Sequence, residues 1–166
     1  QGKPLVNLAV SNDLVVTCHG SWGTYLIDRL DPTGINPPQS LPYSHIDAHA
    51  YGCSIKDNYL YIADNDDTQL SVYKLDQPLP PGATQPEPIL VTEPFGYLGT
   101  AEHLVSGNLL FVSTNSPRGM HIFDITNPAN PIHLSFAPTQ QDVWDLSIRG
   151  NLLAVVEKFN IQTDGN

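Results

Sequence analysis

The chain has 166 residues, and its 17 Asp and Glu against 7 Lys and Arg give a formal net charge of −10. This balance excludes nucleic acid as a partner, because phosphate binding needs clustered cations and the sequence has no such cluster. It also speaks against an anionic membrane surface, and no apolar run approaches the length that spans a bilayer. The length suits one ordinary domain with a good core.

A repeated unit runs through the sequence from its first apolar segment. Its copies are anchored at Val10 (AVSNDLVVTC), Ile55 (SIKDNYLYIA), Val105 (LVSGNLLFVS) and Ile148 (SIRGNLLAVV), which are 45, 50 and 43 residues apart. The second halves of the first three copies align at the same offsets, as TYLIDRLDP, QLSVYKLDQP and GMHIFDITNP. Agreement of both halves at one offset indicates that the whole chain is built from repeats.

Each copy contains four short runs that are typical of β-strands. In the third copy they are EHLVS, LLFVST, MHIFDI and IHLSFA, and the pair Gly-Asn makes a tight turn between the first two. No window shows the apolar period of a helix. The 15 prolines cluster in connections, where their inability to donate to a sheet ladder does no harm. Four strands in each repeat of about 40–50 residues predict an all-β fold, a β-propeller with blades of four antiparallel strands.

The repeats predict three full blades at about 4–43, 50–95 and 100–138, and part of a fourth at about 142–166. Closed propellers usually have four to eight blades. A simple two-fold exchange between copies would leave two exposed sheet edges, which is a costly arrangement. The expectation is therefore a segment of a larger propeller, for example a seven-bladed one.

The pattern G-N-x-L-x-V, then G-x-x-I-F-D-I-T-N-P-x-x-P, then V-x-x-L-S-I-x-G-N, resembles the LVIVD-repeat β-propellers. Residues 106–131 and 143–156 carry it most clearly, while the first two repeats lack the full DITNP signature. The resemblance implies an extracytoplasmic protein of a bacterium or archaeon, and an architecture rather than a reaction. The stretch LYIADNDDTQLSVYKLD is similar to lactonase-type seven-bladed propellers, whose catalytic residues do not map onto this chain.

Polar residues gather where the predicted blades meet one end of the central channel. The first strand of each blade lines the channel and the second runs antiparallel to it, so the start of the first and the end of the second share a face. His45, Asp47 and His49 of SHIDAHAYGC enter blade two at this face. Glu102 and His103 occupy the matching place in blade three, and these residues are candidates for a site at the channel mouth.

Two further residues join this set through the repeat alignment. Asp145 is equivalent to Glu102, and Cys53 is equivalent to His103. One hypothesis is a metal site, since the side chains of His-x-Asp-x-His share one face of an extended segment. Imidazole and carboxylate suit zinc, iron or manganese, and a thiolate would favour zinc or copper. The favoured alternative is that these residues only make hydrogen bonds that close one blade onto the next.

Calcium is a further candidate at the turn Asp64–Thr68 (DNDDT), where carboxylates and an amide crowd one loop. The turn lacks the Gly and Glu of an EF-hand, so a solvated hairpin tip is the favoured interpretation.

Cys18 and Cys53 are expected at the same face of adjacent blades, where a disulfide is geometrically allowed. Two free, half-buried thiols that pack as small apolar groups are the favoured alternative, and metal ligation is the least favoured. Trp22, in the hairpin tip HGSWGT, is expected to stand in solvent. It either contacts a partner or packs over the neighbouring loop.

Two functional hypotheses follow. The first is a secreted, cell-surface or periplasmic module that binds a protein or glycan partner, or the remaining blades of a longer chain; low Lys and high Asn, Thr, Ser and Pro favour this location. The second is a metal-dependent or acid–base enzyme, a lactonase-like hydrolase or an oxidoreductase, with its site at the channel mouth. The sequence has no G-x-S-x-G elbow and no glycine-rich phosphate loop, so the first hypothesis is favoured.

Overall fold

A computed structural model describes the protein over eight stretches of the chain. They are residues 5–11, 14–29, 45–46, 50–64, 69–76, 79, 81–93 and 102–158. In these stretches the backbone forms β-strands joined by turns and loops. They contain no helix of the length and apolarity that a membrane crossing requires.

The strands form four antiparallel sheets, and the strands within each sheet follow one another in the chain. Blade one contains β1 (Asn7–Val10), β2 (Leu14–Cys18), β3 (Thr24–Asp28) and β4 (His45–Ile46). Blade two contains β5 (Ala50–Lys56), β6 (Tyr59–Asp64), β7 (Gln69–Lys74) and β8 (Leu90–Val91). Blade three contains β9 (His103–Ser106), β10 (Leu109–Asn115), β11 (Arg118–Asp124) and β12 (Ile132–Pro138). The described part of blade four contains β13 (Val143–Arg149) and β14 (Leu152–Glu157). The predicted all-β fold with four-stranded antiparallel blades is confirmed.

Blade one reaches Ile46, whereas the repeat pattern placed its end near residue 43. The reason is the short outer strand β4, which pairs with β3 through Thr24 opposite Ile46 and Tyr25 opposite His45. The pair His45–Ile46 therefore belongs to the outer edge of blade one.

Tight turns at one repeat position connect the first two strands of blades two, three and four. The first turn residue has a positive φ in each blade: 52° at Asp57, 57° at Gly107 and 58° at Gly150. This left-handed conformation suits two-residue hairpins, and Gly and Asp tolerate it better than most residues. The turns fix the strand register, for example Ser106 opposite Leu109, and so decide which side chains face the neighbouring blade.

The blades pack in chain order around a common axis, with the inner strands β1, β5, β9 and β13 next to one another. A separate apolar cluster fills each junction between neighbouring blades. Buried members that represent the three junctions are Val16 with Ile62, Val72 with Leu110, and Phe111 with Leu146. Full burial of such a side chain contributes about 1.5–3 kcal/mol, so these junctions hold the blades in fixed positions.

Candidate functional site at the channel mouth

The channel mouth is the end of the axis at which the inner strands begin, and Asn7 connects three blades there. The Oδ1 atom of Asn7, in blade one, accepts a hydrogen bond from the backbone N–H of Cys53, in blade two, at 3.2 Å. The Nδ2 atom donates to Glu102 Oε2, in blade three, at 3.1 Å. One carboxamide thus fixes the position of the Glu102 carboxylate against two neighbouring blades.

Glu102 has the ionisation behaviour of a group that exchanges a proton near neutral pH. Burial and, to a smaller extent, the negative charge of Asp145 in blade four raise the pKa of its carboxyl to about 7, against the lowering effect of the hydrogen bond from Asn7. Its backbone is held in place by Ser113, whose Oγ accepts from the N–H of Glu102 at 2.7 Å and whose N–H donates to its carbonyl oxygen at 3.0 Å. The structure therefore brings the predicted candidates Glu102 and Asp145 into one electrostatic environment.

His103 lies beside Glu102 in the chain but is buried in the junction between blades two and three. Neither ring nitrogen has a hydrogen-bond partner among the described residues, and the same holds for the buried hydroxyl of Ser54. Burial lowers the pKa of the imidazole to about 3, so it is neutral at physiological pH. Both residues line a cleft of about 200 Å³ together with Cys53, Leu8 and apolar neighbours. The unpartnered polar atoms of His103 and Ser54 are themselves buried in the wall of this cleft.

The two cysteines join blade one to blade two. A disulfide links Cys18, at the end of β2, to Cys53, within β5, and their Cα atoms are 6.4 Å apart. The favoured expectation of two free thiols is therefore wrong, and the pair is no thiolate donor for a metal. The reason is the β2–β5 junction, which brings two buried positions of adjacent blades within the span of a disulfide.

Of the three residues in the predicted His-x-Asp-x-His ligand set, the structure describes only His45. His45 lies on the outer strand β4, where its Nε2 is 3.3 Å from the carbonyl oxygen of Trp22 and its ring is 4.6 Å from that of Tyr25. Asp47 and His49 lie outside the described residues, as does most of the DNDDT turn. Among the residues that the structure describes, no group of three or more His, Cys, Asp or Glu is placed to hold a metal. The metal site stays a prediction.

Trp22 stands at the tip of the turn between β2 and β3, and 54% of its surface is exposed. The turn is tightly built: the N–H of His19 donates to the Gly23 carbonyl oxygen at 3.0 Å, and the N–H of Trp22 donates to the His19 carbonyl oxygen at 3.2 Å. Gly23 has a φ of 83°, and a Cβ there would collide with His45 Nε2. The exposed indole is therefore carried by a turn of defined geometry.

Asn7 is the residue of the candidate site that the sequence interpretation missed, although the repeat contains the signal. Counted from the anchors, Asn7 occupies the same position as Gly52, Glu102 and Asp145. Three of the four blades thus place a polar side chain at this one position at the channel mouth. The alignment showed Glu102 and Asp145 as equivalents, and the amide of Asn7 in LVNLAV was not recognised as a third equivalent.

Four antiparallel sheets with their inner strands around one axis define the β-propeller class of repeat folds. The family model "LVIVD repeat" matches residues 48–70 and 99–136, and the predicted resemblance is confirmed over those residues. The match covers the first half of the second repeat, ending before the position of the DITNP signature, and it does not extend to 143–156. No curated protein matches the sequence.

Solved structures with a similar fold are designed and natural propellers. The computationally designed Ika4 protein is 16% identical with a TM-score of 0.64, over 95% of this chain and 88% of that chain. The computationally designed Ika8 protein is 17% identical with a TM-score of 0.62, over 93% of this chain and 43% of that one. Hsv2 of Kluyveromyces lactis is 14% identical with a TM-score of 0.54, over 96% of this chain and 43% of Hsv2. At these identities the likeness shows the fold alone, and the chain spans less than half of Ika8 and Hsv2.

Proposed function

We propose that the chain is an extracytoplasmic β-propeller module that binds a protein or glycan partner through the face that holds the channel mouth and the Trp22 turn. The observation that supports it most is the exposed indole of Trp22 on a rigid support. A large aromatic side chain on a turn that is already ordered spares a partner the entropic cost of ordering that turn on binding. Tryptophan is also among the residues that most often dominate binding energy at interfaces.

The support of this face is rigid because a disulfide and a backbone hydrogen bond join blades one and two there. The Cys18–Cys53 disulfide ties β2, which leads into the Trp22 turn, to the inner strand of blade two. The bridge between Gly20 and Ala50 adds a backbone hydrogen bond of 2.9 Å across the same junction. These links preorganise the loops for a partner, as a recognition surface requires.

Charge and redox state favour a particular class of partner and location. A net charge of −10 steers basic partners towards the module and repels acidic ones. A structural disulfide persists in oxidising compartments and is rare in reducing ones. Both features support a secreted, cell-surface or periplasmic module whose partner carries basic groups.

The test is a binding screen with a matched pair of variants. The disulfide-bonded protein is applied to a glycan array and to a displayed library of basic peptides. We expect at least one binder whose affinity falls at least about tenfold in Trp22→Ala, since loss of a hot-spot aromatic costs about 2 kcal/mol or more. Leu134→Ala is the control, because Leu134 is also 54% exposed but lies on the outer strand β12 of blade three. No binder, or a binder indifferent to Trp22→Ala, would refute the proposal.

A second candidate, an acid–base enzyme, is favoured by one specific observation. The Glu102 carboxyl, with its pKa near 7 beside Asp145, can accept and return a proton at neutral pH. Its test is a panel of lactones and esters assayed as a function of pH. Hydrolysis whose rate changes with pH around a midpoint near 7, and whose pH dependence is lost in Glu102→Gln, would support this candidate. Absence of hydrolysis across the panel would refute it.

A further inference from the structure

A groove opens at the outer side of the junction between blades two and three. It has a volume of about 420 Å³ and is lined by residues 90–93 of blade two and by Phe123, Asn130, Pro131 and His133 of blade three. Both blades are four-stranded sheets, so the groove belongs to an internal junction of the chain. The outer strand β8 has only two residues against seven in β12, so blade two covers only part of the neighbouring sheet.

The blade-three wall of the groove is held in place before any ligand arrives. Asn130 and Pro131 lie in the loop between β11 and β12, where the N–H of Asn130 donates to the carbonyl oxygen of Asn127 at 3.0 Å. The hydroxyl of Tyr61, in blade two, donates to the carbonyl oxygen of Pro128 in the same loop at 3.0 Å. Proline fixes its own φ, so two prolines stiffen this loop further. A ligand would not have to order this wall, which lowers the cost of binding.

Two rings add an aromatic surface to this wall. Phe123 is buried, and the centroid of its ring lies 5.2 Å from that of His133. His133 is exposed, and its Nε2 forms a hydrogen bond of 3.0 Å with Nδ1 of the buried His121. Burial and the neighbouring His133 lower the pKa of His121 to about 4, so the buried ring is uncharged at neutral pH. The His133 ring is thus fixed by a neutral partner, and His121 adds no positive charge behind the groove.

The blade-two wall carries a negative charge. Glu93 is exposed and supplies the only carboxylate among the described residues that line the groove. None of the ion pairs between described residues involves it. Its neighbour Thr92 is fixed to β7, because the N–H of Thr92 donates to the carbonyl oxygen of Leu70 at 3.0 Å and its Oγ1 accepts from the N–H of Leu70 at 3.0 Å. A carboxylate therefore stands on a fixed backbone beside the apolar side chains of Leu90 and Val91.

We propose that this groove binds a small amphiphilic cation, a molecule with an apolar, ring-sized body and one ammonium group. The body packs between Val91 of blade two and Pro131 of blade three, and the ammonium group pairs with the Glu93 carboxylate. The volume lies in the range of about 300–1,000 Å³ that is typical of small-ligand sites, which combine apolar side chains with a few placed polar groups. The net charge of −10 raises the concentration of cations near the surface. None of the described lining residues belongs to the channel mouth or the Trp22 turn, so this site is additional to the partner surface proposed above.

The experiment is an NMR titration with three probes that share a phenyl ring and differ in charge. Phenethylamine is the cation, phenethyl alcohol is neutral and hydrocinnamate is the anion. Binding is followed through the ring signals of His133 at about pH 8, which is well above the ordinary pKa of an imidazole. We expect saturable shifts with phenethylamine and a dissociation constant for phenethyl alcohol that is about threefold to fivefold higher, since an exposed ion pair contributes about that factor. Hydrocinnamate should bind more weakly still.

A matched pair of glutamate variants tests the role of the carboxylate. Glu93→Gln should raise the dissociation constant of phenethylamine to that of phenethyl alcohol and leave the value for the alcohol unchanged. Glu87→Gln is the control, because Glu87 is also exposed but does not line the groove. Val91→Ser should weaken binding of the amine and of the alcohol by the same factor, about threefold, since it removes apolar area from the wall. All three side chains are exposed, so the variants should fold.

Three results would overturn the proposal. The first is the absence of saturable shifts at His133 with phenethylamine. The second is binding of the amine that Glu93→Gln leaves unchanged. The third is an equal shift at His45 in blade one, because it would show loose association of cations with an acidic surface rather than binding in the groove.

Discussion

Replacing Glu102 by Gln should change how the stability of the protein depends on pH. The folded state raises the pKa of the Glu102 carboxyl from its ordinary value of 4.5 to about 7, first through burial and then through the charge of Asp145. Between pH 4.5 and 7 the folded protein therefore keeps a proton that the unfolded chain has already released. The free energy of unfolding must fall as the pH rises through this window, and it levels off above pH 7. Gln keeps the size of the side chain and an oxygen for the amide of Asn7, but it does not titrate.

The magnitude follows from the size of the shift. A rise from 4.5 to about 7 corresponds to roughly 3 kcal/mol for a fully buried carboxyl. The Glu102 carboxyl is only half buried, and solvent screening reduces this to about 1–2 kcal/mol. His103 acts with the opposite sign, because burial lowers its pKa from 6.5 to about 3 and stability rises with pH between those values. His103 is present in both proteins, so its contribution drops out when the free energy of unfolding of wild type is subtracted from that of Glu102→Gln at each pH.

The assay is urea denaturation of both proteins at intervals between pH 4 and 8, with the disulfide intact. We expect the stability of Glu102→Gln relative to wild type to increase by about 1–2 kcal/mol between pH 4.5 and 8. Asp145→Asn should remove part of the same pH dependence, since it removes the second cause of the shift. A relative stability that does not vary with pH, or a Glu102 carboxyl that titrates near 4.5 by NMR, would refute the reasoning.

Two other predictions concern stability. Gly119→Ala should lower the free energy of unfolding by about 3 kcal/mol or more, because φ is 154° and a Cβ would lie 2.5 Å from a carbonyl oxygen of the neighbouring strand. Gly107→Ala is its control, since that glycine has a φ of 57° with open space around it and should lose only about 1 kcal/mol; equal losses would contradict the steric argument. Reduction of the disulfide between Cys18 and Cys53, which are 35 residues apart, should cost about 3–4 kcal/mol in urea denaturation, and an unchanged midpoint would contradict it.

The fold was readable from the sequence because its determinants are local and occur several times. Strand runs and turn residues act over a few positions, and a left-handed turn residue recurs as Asp57, Gly107 and Gly150. Each copy of the repeat supports the interpretation of the others. The outer strand of blade one was harder to place, since two residues that pair with Thr24 and Tyr25 carry no apolar alternation.

The candidate site was only partly readable, because its contacts cross from blade to blade. The equivalence of Glu102 and Asp145 was visible in the alignment, and the structure places them in one environment. The role of Asn7 depends on a bond to a residue 95 positions away, which no local pattern reveals. The disulfide had the same difficulty: the alignment placed Cys18 and Cys53 at one face, but their approach across the junction between blades one and two is not visible in any local pattern.

The position shared by Asn7, Gly52, Glu102 and Asp145 shows how a repeat protein can acquire a site without changing its fold. Most positions of the inner strands contact a neighbouring blade, so their side chains are constrained to pack. At the mouth, the inner strands come close enough for the side chain of Asn7 in blade one to bond to Glu102 in blade three. Substitutions there alter charge and hydrogen bonding around the axis while the apolar junctions stay intact. Side chains at the mouth and at the Trp22 turn can therefore vary independently of the packing that holds the blades together.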